Sequence, residues 1–175
     1  MTGKFVIERL GRAHDRADFI CGAPALDRYF HETVSQDIKR RVSNCFVALD
    51  AAGTIAAFYT LAACSLPLTE LSEAEARRLP RYPVLPAGLI GRLAVSERYR
   101  GRGLGSALIV DAVSRALRSA HAIFALVVDA KDEPAMRFYE HMGFRRFVSQ
   151  PKRLFLPIGE AMRRLSLANP EEGKI

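Results

Sequence analysis

At 175 residues, 49% hydrophobic and 26% charged, the chain carries enough apolar mass for one full core and too much for a disordered protein. The net charge of +7 points to an anionic partner. Three cysteines, an odd number with no Cys-x-x-Cys, argue for a reducing compartment and against a disulfide framework, and the four histidines stand at no ligand-like spacing to them, so no metal is expected.

In chain order, residues 5–10 read as a first strand, and residues 1–9 hold no apolar run of signal-peptide length. Residues 14–19 read as a polar helical stretch. Leu26, Tyr29, Phe30, Val34 and Ile38 then fall at i, i+3, i+4, i+8 and i+12, one apolar stripe at helical period, ended by Lys39, Arg40 and Arg41. Residues 44–49 and 54–63 predict a hairpin around Ala51-Ala52-Gly53. The uncharged run 51–68 approaches membrane-span length, yet Gly53, Thr54, Thr60, Ser65 and Pro67 make it a buried strand of a soluble protein. Residues 67–86 read as a connection, with a short helix at 72–79 opened by a Ser72…Glu75 capping box and with Pro80, Pro83 and Pro86 barring regular structure.

Residues 89–95 predict the next strand and 103–119 a helix, with Ile109, Ala112, Val113, Ala116 and Leu117 inward and Asp111, Ser114, Arg115 and Arg118 outward. The apolar run 123–128 reads as a central strand covered on both faces. A helix over 134–142 follows, with Pro134 in its first turn and Gly143 just past its end. Strands at 144–148 and 153–156 and a helix at 160–167 complete the order. No repeat or composition shift divides the chain: residues 1–168 read as one domain and 169–175 as a flexible tail.

The informative stretch is Arg100-Gly101-Arg102-Gly103-Leu104-Gly105, where a strand enters a glycine-rich turn that opens a helix. Helix N-termini present amides without intrahelical partners and the positive end of the dipole, an anion site, and missing side chains let a pyrophosphate approach the backbone. Arg100 and Arg102 would add positive charge. The spacing is neither Gly-x-x-x-x-Gly-Lys-Ser/Thr nor Gly-x-Gly-x-x-Gly, which sets aside nucleotide and dinucleotide loops.

Arg-x-x-Gly-x-Gly here, together with Phe138-Tyr139-Glu140-His141-Met142-Gly143-Phe144, resembles the GNAT acetyltransferases over nearly the whole chain. The resemblance implies an α/β GNAT fold: a mixed, mostly antiparallel six- to seven-stranded sheet, helices on both faces, and central strands splayed into a CoA cleft. It implies acetyl-CoA as donor, with its pyrophosphate on Arg100, Gly101, Arg102, Gly103, Leu104, Gly105 and Ser106, and its pantetheine arm along Leu93, Ala94 and Val95. Tyr139 would give the departing thiolate its proton, or would only pack against CoA. Residues 129–133 lack the asparagine many members carry, so that contact is not assigned.

Segments around Phe19-Ile20-Cys21-Gly22, Leu26-Asp27-Arg28-Tyr29-Phe30, Gly91-Arg92-Leu93-Ala94-Val95 and Leu154-Phe155-Leu156-Pro157-Ile158 are similar to the toxin acetyltransferases of toxin–antitoxin pairs, the TacT-like branch. That likeness implies a cytoplasmic enzyme acetylating the α-amine of aminoacyl-tRNA, a ribbon-helix-helix antitoxin as partner, a homodimer, and no membrane. The residues are compatible. Strand 89–95 offers no carboxylate base, and an α-amine of pKa about 7.7–8.0 needs one less than a lysine at about 10.4 does. Basic clusters at Lys39-Arg40-Arg41, Arg77-Arg78 with Arg81, Arg145-Arg146, Lys152-Arg153 and Arg163-Arg164 suit tRNA or are solvated faces. Arg92 points toward the acceptor or toward a carboxylate in the core. An acetyltransferase of small or protein amines, and a DNA-bound regulatory complex with an antitoxin, stay open beside this reading.

Overall fold

The computed structural model describes residues 4–168, with side chains to Arg164; the expected tail, 169–175, lies outside the described residues. The strands are β1 (Val6–Arg9), β2 (Asn44–Leu49), β3 (Ile55–Pro67), β4 (Val84–Val95), β5 (Ala125–Asp129), β6 (Arg145–Arg146) and β7 (Arg153–Pro157). They make one open, mixed sheet in the order β1-β2-β3-β4-β5-β7-β6, the expected fold class. The chain divides into two compact units, residues 1–62 with 90–112 and residues 63–89 with 113–175; β3 and β4 each run from one unit into the other. No helix among the described residues is long and apolar enough to cross a membrane.

In the first unit the helical stripe folds as α1 (Pro24–Arg28), a π turn (Tyr29–Thr33) and α2 (Val34–Lys39). Arg41, at φ 61°, breaks it. The stripe packs as its period dictates: Phe30 stacks on Phe58 of β3 with ring centroids 4.1 Å apart, and Phe19 meets both rings edge-on at 4.9 and 5.4 Å. Tyr29, Val34, Cys45, Val47 and Ala94 fill the rest of this core. Burial pushes the Cys45 thiol up to about 12, so it packs as a small apolar residue.

The helix expected at 14–19 does not form. Asp15 Oδ1 accepts the Ala17 N–H, and His14 takes the Gly11 N–H on Nδ1 while Nε2 sits 2.7 Å from Glu8, so side chains offer the backbone a turn instead.

Neighbouring strand residues point to opposite faces. Phe58 faces α1 and α2, whereas the Tyr59 hydroxyl donates to Asp111 of α4 (Leu104–Leu117) at 2.6 Å. The two helical layers of this unit thus cover opposite faces of β3. Asp111, expected to face outward, instead receives that buried phenol, and Leu117, expected inward, is 42% exposed. The rest of the expected inward face, Ile109, Ala112, Val113 and Ala116, is buried, together with Leu104 and Leu108.

In the second unit Ala125–Val128 are fully buried, as a central strand requires, and β7 pairs antiparallel with both β5 and β6. Strand β4 begins at Val84, five residues before the expected strand. Pro86 sits inside it and gives its carbonyl to the Phe124 N–H at 2.8 Å, so an extended proline is accommodated where only its acceptor is used. The capping box opens α3 (Glu73–Ala76) as expected, and Asp132 caps α5 (Glu133–His141). Helix α6 (Ile158–Ala168) closes the described chain.

Candidate functional site

Strand β4 is the fourth of seven, yet Gly91 and Arg92 are exposed and Leu93 and Val95 are half-buried; only Ala94 points into the core. The Arg92 N–H donates to the buried Thr60 hydroxyl at 3.0 Å, and a side chain at position 91 would meet that hydroxyl oxygen at 3.2 Å. A side-chain oxygen thus takes an amide that an unbroken ladder would give to a carbonyl. The open stretch 91–95 coincides with the residues expected to lie along pantetheine.

After β4 a 3₁₀ turn (Glu97–Tyr99) leads to the glycine loop. The turn is fastened on its N-terminal side: Ser96 N–H donates to Ala56 at 2.8 Å and Glu97 N–H to Ile20 at 2.9 Å. Tyr99 is buried and donates to Asp50 Oδ2 at 2.6 Å, joining the loop to the β2–β3 hairpin turn. That bond, with the Thr54 and Ala52 amides, holds the Asp50 carboxyl below its ordinary range and raises the Tyr99 phenol.

Gly101 and Gly103 have φ of 75° and 74°, the left-handed region that side chains disfavour, and an added Cβ at either would meet nothing within 4 Å. Their residue type is thus set by backbone conformation, and the space above them is open to an approaching group. Gly103 C=O accepts the first helical bond of α4, from Ala107 N–H at 3.0 Å. The amides of Leu104, Gly105 and Ser106 lie in the first turn, ahead of any intrahelical carbonyl, at the positive end of the dipole. Leu104 is buried and anchors the turn; Gly101, Arg102 and Gly103 are exposed. This backbone fits a pyrophosphate, and the residues expected to hold acetyl-CoA are contiguous here.

The two arginines of the loop are exposed, and each also has a partner in the protein. Arg100 Nη2 donates to the Cys21 carbonyl at 2.5 Å and lies 3.8 Å from Glu97 Oε1, stationed over Gly22. A Cβ at Gly22 would meet Glu97 Oε1 at 2.6 Å and Arg100 Nη2 at 2.7 Å, so Gly22 is part of the site's support. Arg102 lies over the Tyr99 ring, 5.3 Å from its centroid. Arg100 therefore fastens the loop to the N-terminal segment. Arg92 stacks on the Tyr29 ring, 3.6 Å from the centroid, which answers the open question of its direction with an aromatic face.

Tyr139 belongs to the second unit, on α5. It is 8% exposed, with Phe138 and Phe144 edge-on at 5.2 and 5.5 Å. Burial pushes its phenol up to about 12. Gly143, at φ 102°, turns the chain after α5, beneath Arg164.

Sequence reasoning missed three supports: Tyr99 with Asp50, Gly22 beneath Arg100, and Tyr29 beneath Arg92. Tyr29 is read from periodicity as a core residue, and no local signal links it to a residue 63 positions later.

The comparisons with known proteins concern the family and the fold. Residues 14–144 match the Acetyltransferase (GNAT) family. The chain is 34% identical over 163 residues to the tRNA-acetylating toxin of Mycobacterium tuberculosis, spanning 92% of this chain and 96% of that protein. It is 31% identical over 168 residues to the probable toxin TacT of Sinorhizobium fredii, spanning 90% and 93%. AtaT complexed with acetyl-methionyl-tRNAfMet shares the fold, with a TM-score of 0.83 at 24% identity over 93% of this chain and 99% of that one. A mutant AtaT toxin bound to the C-terminus of the antitoxin AtaR and acetyl-CoA shares it too, with a TM-score of 0.75 at 22% identity over 93% and 98%.

Proposed function

The chain belongs to the acetyltransferase (GNAT) family, and from that premise we propose that it is a translation-blocking toxin that acetylates the α-amine of aminoacyl-tRNA. It is an acetyl-CoA-dependent N-acetyltransferase. The observation that carries the acceptor is the likeness, along 92% of the chain, to a tRNA-acetylating toxin.

Acetyl-CoA, when bound, supplies an acetyl thioester: a C–N bond to the amine replaces the C–S bond, nitrogen loses a proton and sulfur gains one. The first-turn amides of α4 with Gly101 and Gly103 hold the pyrophosphate, and Leu93 to Val95 line the pantetheine arm. Tyr139 keeps its proton at every physiological pH, since its phenol lies near 12. Tyr139 hydrogen-bonds the departing sulfur and gives it the proton, the phenol regaining one from water, while the amine's proton leaves to water. No carboxylate base lies on 89–95, which suits an amine already largely neutral near pH 8.

Residues 1–168 act as one acetyltransferase domain in this reading. The partner is an antitoxin of the ribbon-helix-helix class, the active form is a homodimer, and the compartment is the cytoplasm. The experiment is a translation extract given the protein and labelled acetyl-CoA. Label on charged tRNA, released by deacylation, is the expected result; label only on protein or small amines overturns the acceptor and leaves the enzyme class intact.

A further inference from the structure

Two groups suited to anions stand in the first unit, the loop at the start of α4 and Arg92 of β4. The loop at the start of α4 is tied to residues 20–22, through Arg100 on the Cys21 carbonyl and the Glu97 N–H on Ile20. Arg92 shares its β4 face with Ala94, which packs into the core of Phe30, Val34 and Phe58 beneath α1 and α2. The arginines of the loop itself are Arg100 and Arg102, on Cys21 and Tyr99, whereas Arg92 is held on Tyr29.

Its geometry is built by three elements. The guanidinium carbon lies over the Tyr29 ring, 3.6 Å from its centroid, and the Tyr29 hydroxyl donates to Asp37 Oδ2 at 2.8 Å. Tyr29 opens the π turn Tyr29–Thr33, which interrupts an otherwise α-helical stretch. Such an extra residue changes which side chains share a face, and π turns recur at functional sites. Here Phe30 stacks in the core while Tyr29, 6% exposed, shows its ring face to Arg92. Asp37 also fixes the end of α2, its carbonyl accepting the Val42 N–H at 2.9 Å. Stacking uses the face of a guanidinium and leaves its edge N–H groups for a planar acceptor such as a phosphate.

We propose that Tyr29 is a positioning residue that holds Arg92 as the acceptor-side contact for a phosphate of the nucleotide strand carrying the reactive amine. The inference rests on the aminoacyl-tRNA reading. It makes the side of β4 that faces Tyr29 the entry side of the acceptor, and it assigns Arg92 to substrate capture, apart from the chemical step.

The test is initial-rate kinetics of acetyl transfer to charged tRNA for the wild type, Arg92→Ala, Tyr29→Leu, Tyr29→Phe and the Arg92→Ala/Tyr29→Leu double variant. Loss of one charge-assisted phosphate contact raises KM for charged tRNA about tenfold or more in Arg92→Ala and Tyr29→Leu, with kcat and the KM for acetyl-CoA within about twofold. The double variant matches the worse single, because one contact is lost in both. Tyr29→Phe keeps the ring face and recovers most of the KM. In Arg92→Ala the dependence of log(kcat/KM) on log salt becomes shallower by about one.

Should Tyr29→Leu fail to fold, Arg92→Lys carries the test: it keeps the charge but not the planar stack, so KM rises while the salt dependence stays. A fall in kcat at unchanged KM, a rise in the KM for acetyl-CoA, or additive effects in the double variant overturn the inference. If the wild type itself leaves charged tRNA unlabelled, the acceptor reading fails and this inference with it. If the wild type labels tRNA and the Arg92 variants behave like it, only this inference fails.

Discussion

Three arginines of the second unit, Arg145, Arg146 and Arg153, pair with carboxylates; three of the first, Arg92, Arg100 and Arg102, lie against aromatic rings or a backbone carbonyl. Arg145 bridges Glu75 and Glu160 and lies over the Phe155 ring, Arg146 pairs with Glu140, and Arg153 lies 3.5 Å from Asp129. Arg92 stacks on Tyr29, Arg102 lies over Tyr99, Arg100 holds the Cys21 carbonyl, and Lys39, Arg40 and Arg41 are exposed at the end of α2. A guanidinium on a ring keeps its full charge toward solvent, whereas one between two carboxylates is neutralised. A cluster such as Arg145-Arg146 thus serves as an internal tie, and counting cations along the chain overstates the surface available to a polyanion.

The sharpest division concerns Tyr139. Replacing Tyr139 with Phe lowers turnover by about 10²-fold or more and leaves acetyl-CoA binding, read by calorimetry, within about twofold. Unchanged turnover at saturating substrates would reduce Tyr139 to a packing residue. Because its phenol is raised to about 12, the acid form persists, and kcat shows no alkaline decline from this group between pH 8 and 10. The same raised value makes its stability contribution complete below pH 10, the ordinary phenol value, and lost as pH climbs from there toward 12.

Glycines of the two units offer the next comparison. Gly103→Ala and Gly143→Ala each place a side chain at positive φ, at about 1–2 kcal/mol of stability in urea unfolding. Arg164 Nη1 would stand 2.5 Å from the new Cβ at position 143 and must swing aside, while at position 103 nothing is displaced. Only Gly103→Ala weakens acetyl-CoA, by about tenfold, since it alone distorts amides that face the ligand. Equal weakening by both would mean the loop is read through global stability.

Smaller effects separate the arginines. Arg145→Met lowers stability by about 1 kcal/mol, a part-exposed charge network being weakened by solvent. Glu160, held below its ordinary 4.5 by the Arg145 hydrogen bond, sets the sign in acid: its contribution is complete above that value and is lost as pH falls through the lowered one. The Arg145→Met difference therefore shrinks in unfolding experiments below about pH 4. Finally, Arg40→Ala makes the salt dependence of tRNA acetylation shallower by about one, while Arg146→Ala leaves it alone. A matching change in Arg146→Ala would erase the distinction between the units.

Most elements of the fold were legible because each follows from a local rule. The stripe from Leu26 to Ile38, the apolar run before Asp129, the Ser72–Glu75 box and Gly143 each specify an element from residues within one or two turns. The failures share a cause. Residues 14–19 lose their helix to side chains bonding nearby amides, and β4 extends back through Pro86 because Phe124, far along the chain, needs its carbonyl. Asp111 turns inward for a phenol 52 positions away.

The sequence by itself determined the donor chemistry: Gly101, Gly103 and Gly105 at a strand-to-helix turn, and the spacing that separates this loop from nucleotide loops. Only the tertiary structure decided which arginines remain for an acceptor. A charge's fate depends on what lies across from it, whether Tyr29 for Arg92, Cys21 for Arg100, or Glu75 and Glu160 for Arg145. Those partners come from distant parts of the chain, through contacts that no local pattern encodes.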